Sequence, residues 1–185
     1  MNAAPVSVAL PVEAARDDRA ARLGALFDLH EERLYRLARR LTSSADEARD
    51  LVQDTFLKAA RALTSVPHGF AKEEAWLVRV LVNIRRDQWR KAAVRKRSAA
   101  TLRAGSTTHP SNPESAAIAK QAVWAALDRL QPRRRAIVVL HELEGMKPEA
   151  IATLLSVRTI TVRWHLSMGR RDLRRMLEPH MGDTL

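Results

Sequence analysis

Apolar residues recur along almost the whole chain at steps of three and four, and nowhere do they alternate in twos. Leu23, Leu26, Phe27, Leu34, Leu37 and Leu41 form one such stripe, and Leu51, Val52, Phe56, Ala59 and Leu63 form a second. Trp76, Leu77, Val80, Leu81 and Ile84 form a third. This is the period of a helix with one face buried. Six Gly and eight Pro in 185 residues leave room for long elements, and abundant Ala, Leu and Arg favour helix over strand. The expected fold class is all-α. The chain has no cysteine, which excludes a disulfide framework, a thiol nucleophile and Cys-ligated zinc.

Breaks in the pattern set the expected organisation: a flexible tail over 1–17, a helical domain over 18–97, a linker over 98–112 and a second helical domain over 113–180. Ser44-Ala45-Asp46-Glu47 reads as a capping box, with the Ser44 hydroxyl accepting from the Glu47 N–H. Ser65-Val66-Pro67-His68-Gly69 ends that helix, and a third runs from about Lys72 to Arg97. Thr101 to Asn112 is rich in Gly, Ser, Thr and Pro. Asn112-Pro113 is a start signal, Gln131-Pro132 a break, and Gly145 the expected C′ residue of a helix from Arg133 to Glu144. Pro148 then opens a short helix, Ser156-Val157 makes a turn, and a longer helix buries Val162, Leu166, Gly169, Leu173 and Leu177. That arrangement is a helix-turn-helix. His30 sits beside the first stripe and is expected at its boundary.

The formal net charge is +11, and it is unevenly spread. Residues 1–66 are neutral overall, 67–115 carry +6 and 116–185 carry +5. Such an excess suits a polyanion, either nucleic acid or an anionic membrane surface. Arg79, Asn83, Arg86 and Arg90 share one face of the third helix, and an Asn among arginines can bond a base edge. Trp76 and Trp89 are candidates for stacking on unpaired bases, with core packing as the alternative. Arg158, Arg163, Trp164, Ser167, Arg170 and Arg171 lie opposite the apolar face of the last helix, a pattern suited to the DNA major groove. Asp46, Asp50, Gln53 and Asp54 line one side of the second helix, either as a solvated face or as an acidic docking surface. No apolar run is long enough to span a bilayer, so no stable membrane insertion is expected. Met1 to Val12 lacks the charge and apolar run of a signal peptide, which leaves a cytoplasmic expectation.

Enzyme chemistry finds no support in the residues. His141-Glu142-Leu143-Glu144 begins like a zincin helix, but Gly145 stands where the second His belongs. The glycines are scattered, so no phosphate loop forms. Asp46, Asp50 and Asp54 share a face, but paired metal ions would need carboxylates from other elements as well. No metal, cofactor or catalytic residue is expected.

Four segments in order carry a family resemblance. Asp50-Leu51-Val52-Gln53-Asp54-Thr55-Phe56-Leu57-Lys58-Ala59 comes first, then Ala75-Trp76-Leu77-Val78-Arg79-Val80 with Asn83. Leu130-Gln131-Pro132-Arg133-Arg134-Arg135 with Glu144-Gly145-Met146 and Ile151-Ala152 is third, and Thr161-Val162-Arg163 with Leu166 is fourth. Together they resemble the extracytoplasmic-function (ECF) sigma factors of bacterial RNA polymerase over roughly residues 20–178. The resemblance implies that Asp50, Gln53, Asp54 and Phe56 dock on core RNA polymerase. It implies that Trp76, Arg79, Asn83, Arg86 and Arg90 take the promoter −10 element. Arg158, Thr161, Arg163, Trp164, Ser167, Arg170 and Arg171 would read the −35 element. The loop from Val66 to Lys72 resembles the family's specificity loop, which cradles a flipped base. An anti-sigma factor, membrane-associated in the usual arrangement, is the implied regulator. The chain departs from the pattern at Ser156 and Ile160, where glycines are common, and at Trp164, His165 and Met168. Those changes imply a −35 preference of its own, with Trp164 placed against a thymine methyl, a sugar edge or a bound regulator. The rival reading is a helix-turn-helix regulator that acts without polymerase, although the first half shows neither a ligand-binding nor a receiver pattern.

Overall fold

The computed structural model describes residues 10–99 and 115–181, and among these residues every regular element is helical. They are α1 (Leu10–Leu41), α2 (Ala45–Arg61), α3 (Phe70–Ala99), α4 (Ser115–Asp128), α5 (Pro132–Val138), α6 (Pro148–Leu155) and α7 (Thr159–Met181). A 3-10 turn at Leu63–Ser65 follows α2. Because α1 begins at Leu10, residues 10–17 are helical, where the sequence suggested a tail. Residues 1–9 lie outside the described residues, as do Asn112, Pro113 and nearly all of the expected linker.

The local signals act as the residues dictate. Ser44 Oγ accepts from the Glu47 N–H at 3.1 Å, and the Glu47 carboxylate accepts from the Ser43 N–H at 3.2 Å. The reciprocal bond of the capping box thus falls one residue before Ser44. Gly145 adopts φ +68 after the α5 segment, as a C′ glycine should. The helix from Arg133 to Glu144 is not uniform, however. It runs from Pro132 as α helix to Val138 and then widens into a π turn over Val139–Leu143. The Glu144 N–H reaches back to the Val139 carbonyl at 3.1 Å.

α1, α2 and α3 pack together, and α4, α5 and α6 pack on α7. The two groups are not separate bodies. α3 also packs on α5 and α6, α1 touches α5, and one continuous buried cluster runs from Leu26 to Leu166. His30 lies inside it, fully buried rather than at a boundary. Its ring stacks on Phe70 at 4.9 Å and its Nε2 lies 3.4 Å from a Glu73 carboxylate oxygen.

A polar joint runs beside this shared core. The C-terminal end of α1 presents carbonyls that its own helix cannot satisfy. Arg135, on α5, donates to Arg40 O at 2.8 Å and Thr42 O at 3.0 Å, and Arg85 on α3 donates to Leu41 O at 3.0 Å. In the opposite direction Arg79 on α3 donates to the α6 carbonyls of Leu154 at 2.5 Å and Thr153 at 3.3 Å. Glu144, whose side chain is almost fully buried, pairs with both Arg33 and Arg40 of α1.

In the helix-turn-helix, Ser156 holds φ +53, the left-handed region that favours glycine. Gly169 lets α7 approach α5 closely, because a Cβ there would stand 2.6 Å from Val138 Cγ2. Ser156→Gly is therefore expected to raise stability by up to about 1 kcal/mol. Gly169→Ala is expected to lower it by about 1–3 kcal/mol through overpacking against a buried valine. Urea denaturation of the three proteins checks both signs.

Candidate protein and nucleic-acid interfaces

On α2, Asp50, Gln53 and Asp54 are exposed on one face. Gln88 Nε2 from α3 donates to Asp54 Oδ2 at 3.1 Å, which fixes that carboxylate without neutralising it. Phe56 differs from its expected neighbours. It is only 7% exposed and packs in the core, its ring 4.9 Å from that of Phe27. Its accessible edge lines a groove of about 510 Å³ between α1 and α2, walled also by Leu23, Phe27, Tyr35, Val52 and Leu57. Phe27 and Leu57 are each nearly half exposed. Gln53 of the exposed face also lines this apolar groove, and Phe27, Val52 and Phe56, which the periodicity assigns to the core, lie along it.

The α3 residues do not form one free surface. Trp76 is half-buried and packs on the core cluster, so its packing role is realised. Arg79 is occupied by the α6 carbonyls. Asn83 is half-buried, Arg86 pairs with Asp87 at 3.2 Å, and Arg90 and Trp89 face solvent. The preceding loop is firmly tied: Arg22 Nη2 donates to Val66 O at 2.7 Å, and the Gly69 N–H to Glu73 Oε1 at 3.3 Å. Gly69 has φ +100, and Phe70 is left 57% exposed beside it.

On α7 and the turn before it, Arg158, Arg163, Trp164, Ser167, Arg170 and Arg171 are exposed together, while Thr161 is half-buried. Arg163 pairs with Glu149 at 2.9 Å and Arg170 with Glu142 at 2.8 Å. Exposed pairs of this kind contribute little, so either arginine can exchange its carboxylate for a phosphate at small cost. Arg163, Ser167, Arg170, Arg171 and Arg174 line a shallow recess of about 500 Å³ with His141. Among the described residues, no group of acids and histidines is placed to hold a metal ion.

Sequence reasoning named the exposed residues of α2 and α7 and missed the joint. Nothing in the spacing of Arg33, Arg40, Glu144 and Arg135 signals that they meet across more than ninety positions. Each looks like one charge among many on a solvated helix.

The comparisons agree with this architecture. The profile of Sigma-70 region 2 matches residues 26–95, and that of Sigma-70, region 4 matches residues 120–173. The chain is 32% identical over 169 residues to the ECF RNA polymerase sigma factor SigL of Mycobacterium tuberculosis, covering 90% of this chain and 95% of that protein. It is 34% identical over 164 residues to the ECF RNA polymerase sigma factor SigE of Mycolicibacterium smegmatis, covering 84% of this chain but only 61% of that longer protein. Among solved structures it resembles the sigma factor RpoE in complex with the anti-sigma factor NepR from Bartonella quintana, with a TM-score of 0.59 and 26% identity. That match covers 90% of this chain and 98% of the other. The fold also resembles CnrH in complex with the cytosolic domain of CnrY, with a TM-score of 0.57 and 24% identity over 85% of this chain and 88% of that one.

A chain with both sigma-70 modules in this order, on this helical frame, is a sigma-70-type transcription initiation factor. It belongs to the ECF subfamily of RNA polymerase sigma factors, which are transcription regulators that direct promoter-specific initiation.

His165 gives the second half a pH dependence. Burial, followed by the nearby Arg133 and Arg134, holds its imidazole below the ordinary value, and its buried Nδ1 has no hydrogen-bond partner in the fold. As pH falls through about 6.5 the unfolded chain takes up this proton before the folded one does, so stability declines with acidification. Melting temperatures at pH 5.5 and 7.5 should differ in that sense, and His165→Gln should reduce the difference.

Proposed function

We propose that this sigma factor docks on the clamp of core RNA polymerase through the exposed face of Asp50, Gln53 and Asp54 and the bordering groove that Phe56 lines. α3 takes the single-stranded −10 element with Trp76, Arg79, Asn83, Arg86 and Arg90. α7 enters the −35 major groove with Arg158, Thr161, Arg163, Trp164, Ser167, Arg170 and Arg171. The observation that carries the reading is the segregation of surfaces along one chain: an acidic face with an apolar groove in the neutral first third, and arginine-bearing helix faces in the two blocks that hold all of the net charge. The acids suit a basic protein partner, and the arginines suit DNA phosphates.

Arg79 adds a mechanical condition. Its guanidinium caps α6 in the closed arrangement, so it reaches DNA only after the two halves part. On this reading polymerase binding separates them, and the linker keeps both DNA faces at high effective concentration, so neither must bind tightly alone. The chain performs no catalysis of its own. Its partners on this reading are core polymerase and promoter DNA, as for its sigma-factor family, and an anti-sigma factor, which the RpoE–NepR complex supports. Among the described residues no helix is long and apolar enough to cross a membrane. The reading places the chain in the cytoplasm and assigns any membrane attachment to the anti-sigma factor.

Run-off transcription with core polymerase, with and without the chain, tests this directly. Promoter-specific transcripts are expected only in its presence. Tight specific binding to duplex DNA without polymerase, and no transcript with it, would instead identify an independent regulator. Asp50→Lys with Asp54→Lys should weaken binding to core polymerase at least tenfold while leaving the thermal melt unchanged. Intact polymerase affinity in that variant would overturn the docking assignment.

A further inference from the structure

Two apolar side chains stand out on the DNA-facing helix. Ile160 is 67% exposed and Trp164 is 53% exposed, and they lie four residues apart on one face of the first two turns of α7. Neither is among the buried residues of α7, which include Val162, Leu166 and Gly169. Large apolar groups left open in a basic surface usually mark a contact. The indole is also held in place: it meets the His165 ring edge-on at 4.9 Å, and the Arg134 guanidinium lies 5.6 Å from its centroid. Arg134 is itself fixed by its ion pair with Asp172. An exposed Trp that is already ordered loses little conformational freedom on binding.

The early residues of a recognition helix are those that reach base edges. In the major groove the base edges offer hydrogen-bond donors and acceptors and a single apolar group, the C5-methyl of thymine. We infer that Ile160 and Trp164 form an apolar reading patch for thymine methyls in the −35 element, with Arg163, Arg170 and Arg171 holding the flanking phosphates. This inference rests on the promoter-binding reading above and adds the chemical basis of its −35 preference. The arginines around the patch favour DNA over a protein partner, because an apolar protein surface laid there would leave several guanidinium groups desolvated and without counter-charge.

The test uses holoenzyme assembled from the full chain and core RNA polymerase, with a promoter selected from templates randomised over the upstream element. Each thymine of the selected element, on either strand, is then replaced singly by deoxyuridine, which removes only the methyl group. At one or two positions the holoenzyme concentration giving half-maximal open complex should rise about fourfold, the equivalent of one buried methylene-sized group. Trp164→Ala should abolish this sensitivity at one position, and Ile160→Ala should abolish or reduce it at the same or a neighbouring one. Tolerance of deoxyuridine at every position would overturn the inference. So would an unchanged profile in both variants, which would assign the patch to a protein partner. Failure to select any promoter would overturn the promoter reading, and the inference with it, and is distinguishable from either of those results.

Discussion

The closed arrangement of this chain depends on arginines that cap helices belonging to the other half. The end of α1 has no glycine to fold back on its last carbonyls; Arg135 satisfies two of them from the other half, and Arg85 on α3 a third from within its own. Arg79 does the same for α6, in the reverse direction across the joint. A cation at a helix C-terminus meets the negative end of the dipole as well as unpaired acceptors. Arg135 is 4% exposed. Burial draws its pKa down, and the charge and hydrogen bond of Asp128 oppose that shift. A buried charge of this kind contributes little net stability, but leaving it or its acceptors unpaired is costly. The joint therefore specifies one relative placement of the halves more than it strengthens it.

This placement connects the shared core to function. Val80 and Leu81 of α3 are buried, and the same helix carries the residues assigned to the −10 strand. Arg79 serves the joint in the closed chain and the DNA in the proposed open one. α7, by contrast, packs mainly on α4, α5 and α6, and its outer arginines are exposed, so on the proposed reading they need no separation of the halves to meet duplex DNA. The two proposed DNA faces thus differ in readiness: on that reading one is presented at once, and the other is released by separation of the halves.

The legible and illegible parts of the sequence divide along a physical line. Helices, caps and the helix-turn-helix follow from local rules, because Ser44, Gly145 and the periodic leucines each act within a few residues of themselves. The exposed acids of α2 and arginines of α7 were readable for the same reason. Leu10 to Asp17, the described part of the expected tail, is helical, although its apolar residues set no stripe of the kind that runs on from Leu23. The π turn at Val139–Leu143 leaves no mark in a 3.6-residue pattern. His30 looked peripheral because a polar side chain within an apolar stripe gives no sign of the Phe70 and Glu73 that enclose it. The joint was hidden most completely, since it is made by common residue types brought together from distant positions.

The most direct measurement of this account is the distance across the joint with and without polymerase. The chain has no cysteine, so spin labels attach cleanly at Ser43→Cys and Arg129→Cys, exposed positions that flank the Thr42 and Asp128 partners of Arg135. The account predicts one short distance in the free chain and a longer one once core polymerase is bound. A short distance that persists in a polymerase complex able to initiate transcription would contradict it.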